Sequence, residues 1–150
     1  MIKIYLDDIR TPKDSTWVIC RSYNDFVKVV GETGLANISL ISLDHDLGES
    51  AMEEFYRNVS KNYILNYDNI IEKTGYDCAK WLVDKFYSEN PQRFDMKRID
   101  KKNTPIVFPT VLVHSANPIG SANIMGYINN FLMNEAKEQT CKRTEIPHTI

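Results

Sequence analysis

Three short apolar runs in the chain each end in groups able to hold a metal ion or move a proton. Ile2 to Leu6 meets Asp7 and Asp8, Ile38 to Leu43 meets Asp44, His45 and Asp46, and Thr110 to Val113 meets His114 and Ser115. Two adjacent carboxylates such as Asp7 and Asp8 repel each other and stay ionised only beside a cation or a basic group. A hard, oxygen-seeking ion such as Mg2+ or Mn2+ meets that need. The same pair also suits a solvated turn ahead of Arg10, and it is the second acidic run that argues for a site. In Asp44-His45-Asp46-Leu47-Gly48, strand alternation turns Asp44 and Asp46 to one side if the extended backbone continues past Leu43. Gly48 then permits a tight turn behind that dicarboxylate face. The competing reading is an Asx-type turn carrying a surface histidine.

The third run contributes His114, a residue that can act as general acid or base near neutral pH. A helix N-terminus beginning at Asn117-Pro118 offers free N–H groups to a phosphate. Ser115 and Asn117 can add hydrogen bonds there, and Gly120 can let a ligand come close. Asn117 is also explained as a helix N-cap and Ser115 as a turn residue. Arg10 and Lys80 are possible single-charge phosphate contacts, Arg10 the more interesting because it lies two residues beyond the aspartates. Asp77 reads as the N3 member of a capping box, and Trp81 as core.

The elements that must position these groups follow from local pattern. Ile2 to Leu6 is a first strand, ended by the two aspartates. Thr11 to Ser15 is turn material, and Trp17 to Cys20 is a second strand with no room for a helix before it. Ser22 caps an amphipathic helix with Phe26, Val27, Val29 and Val30 inward, closed by Gly31 or Gly34. Ile38 to Leu43 is the third strand, so strand, helix and strand imply a right-handed parallel crossover. Residues 49–72 are polar and aromatic with no clean period, and read as an insertion placed where a lid would sit. Thr74-Gly75-Tyr76-Asp77 is a capping box opening a helix to about Ser88. Residues 89–105 form a basic connection, with Arg93, Lys97, Arg98, Lys101 and Lys102 interrupted by Asp95 and Asp100, most simply a solvated loop. Phe108 to Val113 is the last clear strand, with Pro109 tolerable only at its beginning. Asn117-Pro118 opens a helix through Ile124, Tyr127, Ile128, Phe131 and Leu132. Glu145 to Ile150 can add an edge strand. If the acid-ended strands are parallel neighbours, their carboxyl ends open on one crevice, where such sheets bind ligands.

Composition bounds the partners. At 150 residues and 43% hydrophobic content the chain has the size of one domain with one core. Eighteen Lys plus Arg against twenty Asp plus Glu leave a formal charge of −2. No strong general nucleic-acid affinity or attraction to an anionic membrane is therefore expected, and a phosphate must be recognised locally. Cys20, Cys78 and Cys141 are odd in number and widely spaced, which suits core thiols in a reducing compartment. No apolar run approaches the roughly 18 residues of a membrane span, and no signal-peptide h-region opens the chain. A cytoplasmic protein is expected.

Leu6-Asp7-Asp8-Ile9-Arg10-Thr11-Pro12, Ile41 to Gly48, Thr74 to Ala79 and Val113 to Pro118, in that order, resemble the cyclic-phosphate processing receiver domain family over nearly the whole chain. The resemblance implies an α/β, single-domain, receiver-like (flavodoxin-type) three-layer sandwich, with a mostly parallel central sheet and an insertion after the third strand. It also implies an acidic pocket put to enzymatic use on cyclic phosphates. The family is similar to response-regulator receivers, in which Asp7 and Asp8 correspond to metal-binding acids and Asp44 to the phosphorylated aspartate. Two departures are visible. No strand with a closing lysine follows the helix that ends near Lys137, and His45 and His114 flank the acids instead. Hydrolysis, which needs an acid and a base on opposite sides of phosphorus, is favoured over phosphotransfer.

The expectation is a metal-dependent phosphoesterase acting on a cyclic nucleotide or a cyclic-phosphate-ended RNA. Asp7, Asp8, Asp44 and Asp46 are the candidate ligands of Mg2+ or Mn2+, Asp46 alternatively orienting His45. His45 and His114 are the base and acid in unassigned order, with Asp44 counted among the catalytic groups. Arg10, Ser115, Asn117 and Gly120 are the phosphate contacts. The rivals are a catalytically inactive receiver-like module that binds a nucleotide or protein, and a receiver phosphorylated at Asp44.

Overall fold

A computed structural model of the chain describes residues 1–91 and 106–145, with 139–145 described by backbone alone. Four parallel strands form one sheet in the order β2-β1-β3-β4, where β1 is Ile2–Leu6, β2 Trp17–Cys20, β3 Ile38–Leu43 and β4 Thr110–Val113. Parallel strands are joined by crossovers, and three helices pack on the sheet. These are α1 (Tyr23–Thr33), α4 (Gly75–Glu89), and α5 (Pro118–Glu145) after the last strand. This is a receiver-like α/β fold consistent with the flavodoxin type.

Strand alternation divides the sheet into two faces. Ile4, Leu6, Cys20, Ile41, Leu43 and Val111 pack against Phe26 and Val30 of α1, Leu82 and Phe86 of α4, and Ile124, Ile128 and Phe131 of α5. Tyr5, Trp17, Ile19 and Leu112 lie in the alternate register, and Ile19 and Leu112 are exposed. Residues 7–16 join β1 to β2 without a helix, and α1, α4 and α5 pack on the sheet face that carries Ile4, Leu6, Ile41 and Leu43.

Local signals account for most boundaries. Ser22 accepts from the Asp25 N–H as N-cap of α1, and Gly34, with φ 80°, ends it. Thr74 and Asp77 make the capping box of α4. β4 begins at Thr110 and not at Phe108, since Pro109 has no N–H to give the ladder. The 49–72 segment is more regular than its pattern implies. α2 (Glu49–Glu54) runs into a π-helical turn (Phe55–Val59) and α3 (Ser60–Asn62), followed by a 3-10 turn at Tyr67–Asn69. The wider π turn shifts the helical phase, so no single 3.6-residue period survives across it. The basic residues between 92 and 105, and the edge strand expected toward Ile150, lie outside the described residues, while Glu145 ends α5.

Candidate metal centre

Ladder hydrogen bonds continue one residue past the strand ends. Asp7 N–H donates to the Cys20 carbonyl (3.0 Å), Asp44 N–H to Leu6 (2.9 Å) and His114 N–H to Leu43 (3.0 Å). Asp7, Asp44 and His114 therefore stand side by side at the carboxyl ends of three adjacent strands. One ligand atom from each lies within 4.8 Å of the others. Asp7 Oδ1 accepts the N–H groups of Ile9 (2.9 Å) and Arg10 (2.7 Å), leaving Oδ2 to face Arg10 Nε at 2.8 Å and His114 Nε2 at 3.1 Å. Asp44 Oδ1 accepts the His45 N–H at 2.8 Å, and its Oδ2 lies 3.5 Å from Arg10 Nη2.

Residues that no motif flagged hold this trio. His114 is stacked on Tyr5, with ring centroids 4.2 Å apart and planes 10° from parallel, and its Nδ1 meets Ser42 Oγ at 2.7 Å. Those two rings come from β1 and from the end of β4, the strands on either side of β3, and the small Ser42 lets them meet. A hydroxyl can donate or accept, so Ser42 supports either imidazole tautomer. Arg21 ties down the turn after β1 through the carbonyls of Asp7 (3.1 Å) and Arg10 (2.7 Å).

The electrostatics are those of a site that wants a cation. Burial, then the Asp7 charge, raises the Asp44 pKa to about 6. Burial also works to raise Asp7, but the backbone N–H bonds from Arg10 and Ile9 and the Arg10 guanidinium outweigh it, and its pKa is lowered. Asp8 is raised, by burial first and then by Asp7 and Asp46. Burial lowers His114 against the pull of Asp7, keeping its imidazole neutral near pH 7. Arg10, with its side chain 51% exposed, lays its guanidinium against both buried carboxylates. Two acids and one imidazole form a donor set that fits a divalent ion, with Arg10 as the charge that balances the acids when no ion is bound.

His45 is placed differently from the expectation. Its ring is fully buried, with Nδ1 on Asp46 Oδ1 (2.7 Å) and Nε2 on Tyr67 Oη (2.9 Å). The chain bends at His45, so Asp44 and Asp46 line the crevice while the imidazole between them turns into the protein. Asn123 Nδ2 donates to Tyr67 Oη at 3.0 Å, extending the chain of polar contacts from Asp46 through the His45 ring to α5. His45 thus orients Asp46 and does not reach the crevice as acid or base.

Gly120 is likewise not a phosphate contact. A Cβ there would lie 2.3 Å from His45 Cγ, so glycine lets α5 close over the ring, and its N–H is taken by Asn117 Oδ1 at 2.9 Å. Asn117 is fully buried, capping α5 and donating to Asp46 Oδ1 at 3.2 Å, which leaves it no reach to a phosphate. Ser115 does line the crevice, with Asp7, Asp8, Arg10, Asp44 and Asp46. Lys80 lines a different cavity, over the Tyr76 ring.

A four-stranded parallel α/β sheet with acids at its carboxyl edge defines the receiver-like class. Within it, the chain belongs to the cyclic-phosphate processing receiver domain family, whose model matches residues 2–130. No curated protein and no solved structure matches the chain. No described helix is long and apolar enough to cross a membrane.

Proposed function

We propose that the chain is a divalent-metal-dependent phosphoesterase that opens cyclic phosphates of nucleotides or RNA ends. The observation that carries this reading is the convergence of Asp7, Asp44 and His114 ligand atoms within 4.8 Å, in a family defined by cyclic-phosphate processing. Asp7, Asp44 and His114 would hold Mg2+ or Mn2+, and Asp46, pinned by His45 and Asn117, lines the same crevice. When bound, the ion supplies Lewis-acid polarisation of a nonbridging phosphoryl oxygen and lowers the pKa of water. Arg10, whose guanidinium lines the crevice, would give N–H groups to the phosphate, and Ser115 would add a hydroxyl. Water adds to phosphorus, one ring P–O bond breaks, and the freed sugar oxygen takes a proton, leaving a phosphomonoester. Asp8, which lines the same crevice, is the group placed to take the proton released by the attacking water and pass it to that oxygen.

Mass spectrometry of cyclic nucleotides and cyclic-phosphate-ended RNA incubated with the protein is the direct test. A product heavier by one water, formed with Mg2+ or Mn2+ and abolished by chelator, is expected. Saturable binding without any product would replace the esterase by an inactive receiver-like binder.

The Asp44 shift sets a pH dependence. Its folded pKa of about 6 lies above the ordinary carboxylate value of 3.8, so between these values the folded state holds a proton that the unfolded state has lost. Metal-free stability therefore falls as pH rises through that window, whereas cation binding requires the ionised form and strengthens over the same range. In thermal melts, Mn2+ should raise Tm clearly at about pH 7.5 and have little effect at about pH 5. An equal shift at both would remove Asp44 from the ligand set.

A further inference from the structure

The crevice has a second wall that phosphate chemistry does not use. Its cavity, about 240 Å3, is floored by the acids and Arg10 but bounded by Ile9, Met52, Phe55 and Tyr56. Ile9 is 73% exposed and Tyr56 61% exposed, so neither is there to fill a core. We propose that this wall holds the base of a nucleoside whose cyclic phosphate lies over Asp7, Asp44 and Arg10, with Tyr56 as the stacking residue. The inference rests on the phosphoesterase reading of the same crevice and adds to it the part of the substrate that gives recognition.

Three observations support the assignment. The first is complementarity: a cation-seeking floor with a guanidinium stands beside an aromatic and aliphatic wall, matching an anionic phosphate attached to a flat apolar ring. A cyclic phosphate on a small polar alcohol would leave that wall facing water. The second is the backbone. The wall's aromatic pair, with ring centroids 5.3 Å apart, begins the π-helical turn Phe55–Val59, where the extra residue per turn re-aims successive side chains. The third is preorganisation. Buried Glu54, next to Phe55, accepts from Asn58 Nδ2 (2.7 Å), Asn66 N (3.2 Å) and Asn69 Nδ2 (2.8 Å), fastening the turn to the loop behind it. Glu72 pins the other end of α2 through the Ala51 N–H at 2.8 Å and the Ser50 hydroxyl. A wall held at both ends binds without the entropy cost of ordering a loop.

The test is saturation-transfer NMR titration, in chelator so that no metal-dependent turnover intervenes. Three probes are compared: adenosine 2′,3′-cyclic phosphate, a dinucleotide ending in a 2′,3′-cyclic phosphate, and 1-O-methylribose 2′,3′-cyclic phosphate, which has no base. The base protons of the first two should saturate more strongly than their ribose protons, and the base-free probe should bind more weakly. Tyr56→Ala should weaken the adenine-bearing probe about 5- to 150-fold, the range for losing one base-aromatic stack, and bring it level with the base-free one. Met133→Ala, exposed on α5 and not part of the crevice lining, is the control for handling and fold. A mononucleotide bound as tightly as the dinucleotide assigns the wall one nucleoside; a tighter dinucleotide assigns the substrate to an RNA end. Both support the base wall. Equal binding of base-bearing and base-free probes, or no effect of Tyr56→Ala, overturns it. Metal-dependent turnover with unsaturated base protons would overturn this inference alone, whereas saturated base protons without any turnover would overturn the esterase reading and leave the base wall standing.

Discussion

Asp44→Asn is expected to weaken Mn2+ binding and cyclic-phosphate turnover by about a thousandfold, while the protein melts no lower than wild type. Removing one anionic ligand takes away several kcal/mol of charge stabilisation, and each tenfold is about 1.4 kcal/mol. The fold is spared because the amide oxygen can still accept the His45 N–H that Asp44 Oδ1 accepts at 2.8 Å. The carboxylate is moreover a strained guest: burial and the Asp7 charge raise its pKa to about 6, so at neutral pH a neutral amide is the easier group to bury. Calorimetric Mn2+ titration beside circular-dichroism melts reads both halves of the prediction. Wild-type turnover in the variant would remove Asp44 from the machinery.

The largest loss of stability is expected from Gly75→Ala, a substitution that is mild on an ordinary surface helix. A Cβ at position 75 would lie 1.9 Å from the Asp44 carbonyl oxygen and 3.1 Å from His45 Cα, both backbone atoms that no rotamer change can move. The Gly75 N–H also donates to the His45 carbonyl at 2.9 Å, so the start of α4 and the acidic segment are bonded at the point of contact. Relief requires moving α4, whose Cys78 and Leu82 are core residues, or moving Asp44 itself. A cost of at least about 3 kcal/mol is expected, at the upper end for overpacking, together with weaker Mn2+ binding. Gly31→Ala is the contrast. Nothing lies within 4 Å of a Cβ there, and alanine inside α1 should stabilise by up to about 1 kcal/mol. If Gly75→Ala melts with wild type, the close approach of α4 to the acids is wrong.

Much of the frame was legible because its signals are local. Short apolar runs rich in β-formers mark the strands, Ser22 and Thr74 announce helix starts through caps made within four residues, and acids directly after strands can only lie at the carboxyl edge. The 49–72 segment resisted this reading because the π turn breaks the one periodicity that marks a helix. The fate of His45 was equally unreadable. Alternation put Asp44 and Asp46 on one side, but whether His45 faces solvent or core depends on partners 22 and 72 to 78 residues away, Tyr67, Asn117 and Asn123.

The sequence by itself determined that two acidic clusters and a histidine close three strands, because strand length, chain termination and charge are properties of contiguous residues. Only the tertiary structure decided which of these groups share a site. Parallel order β1-β3-β4 set Asp7, Asp44 and His114 abreast, and Ser42, too small to separate Tyr5 from His114, let the imidazole settle over the sheet. Gly75 and Gly120 admitted two helices close enough to bury His45 while leaving its neighbours at the crevice. Such contacts depend on what lies across a gap in space, and the order of residues along a chain does not record that distance.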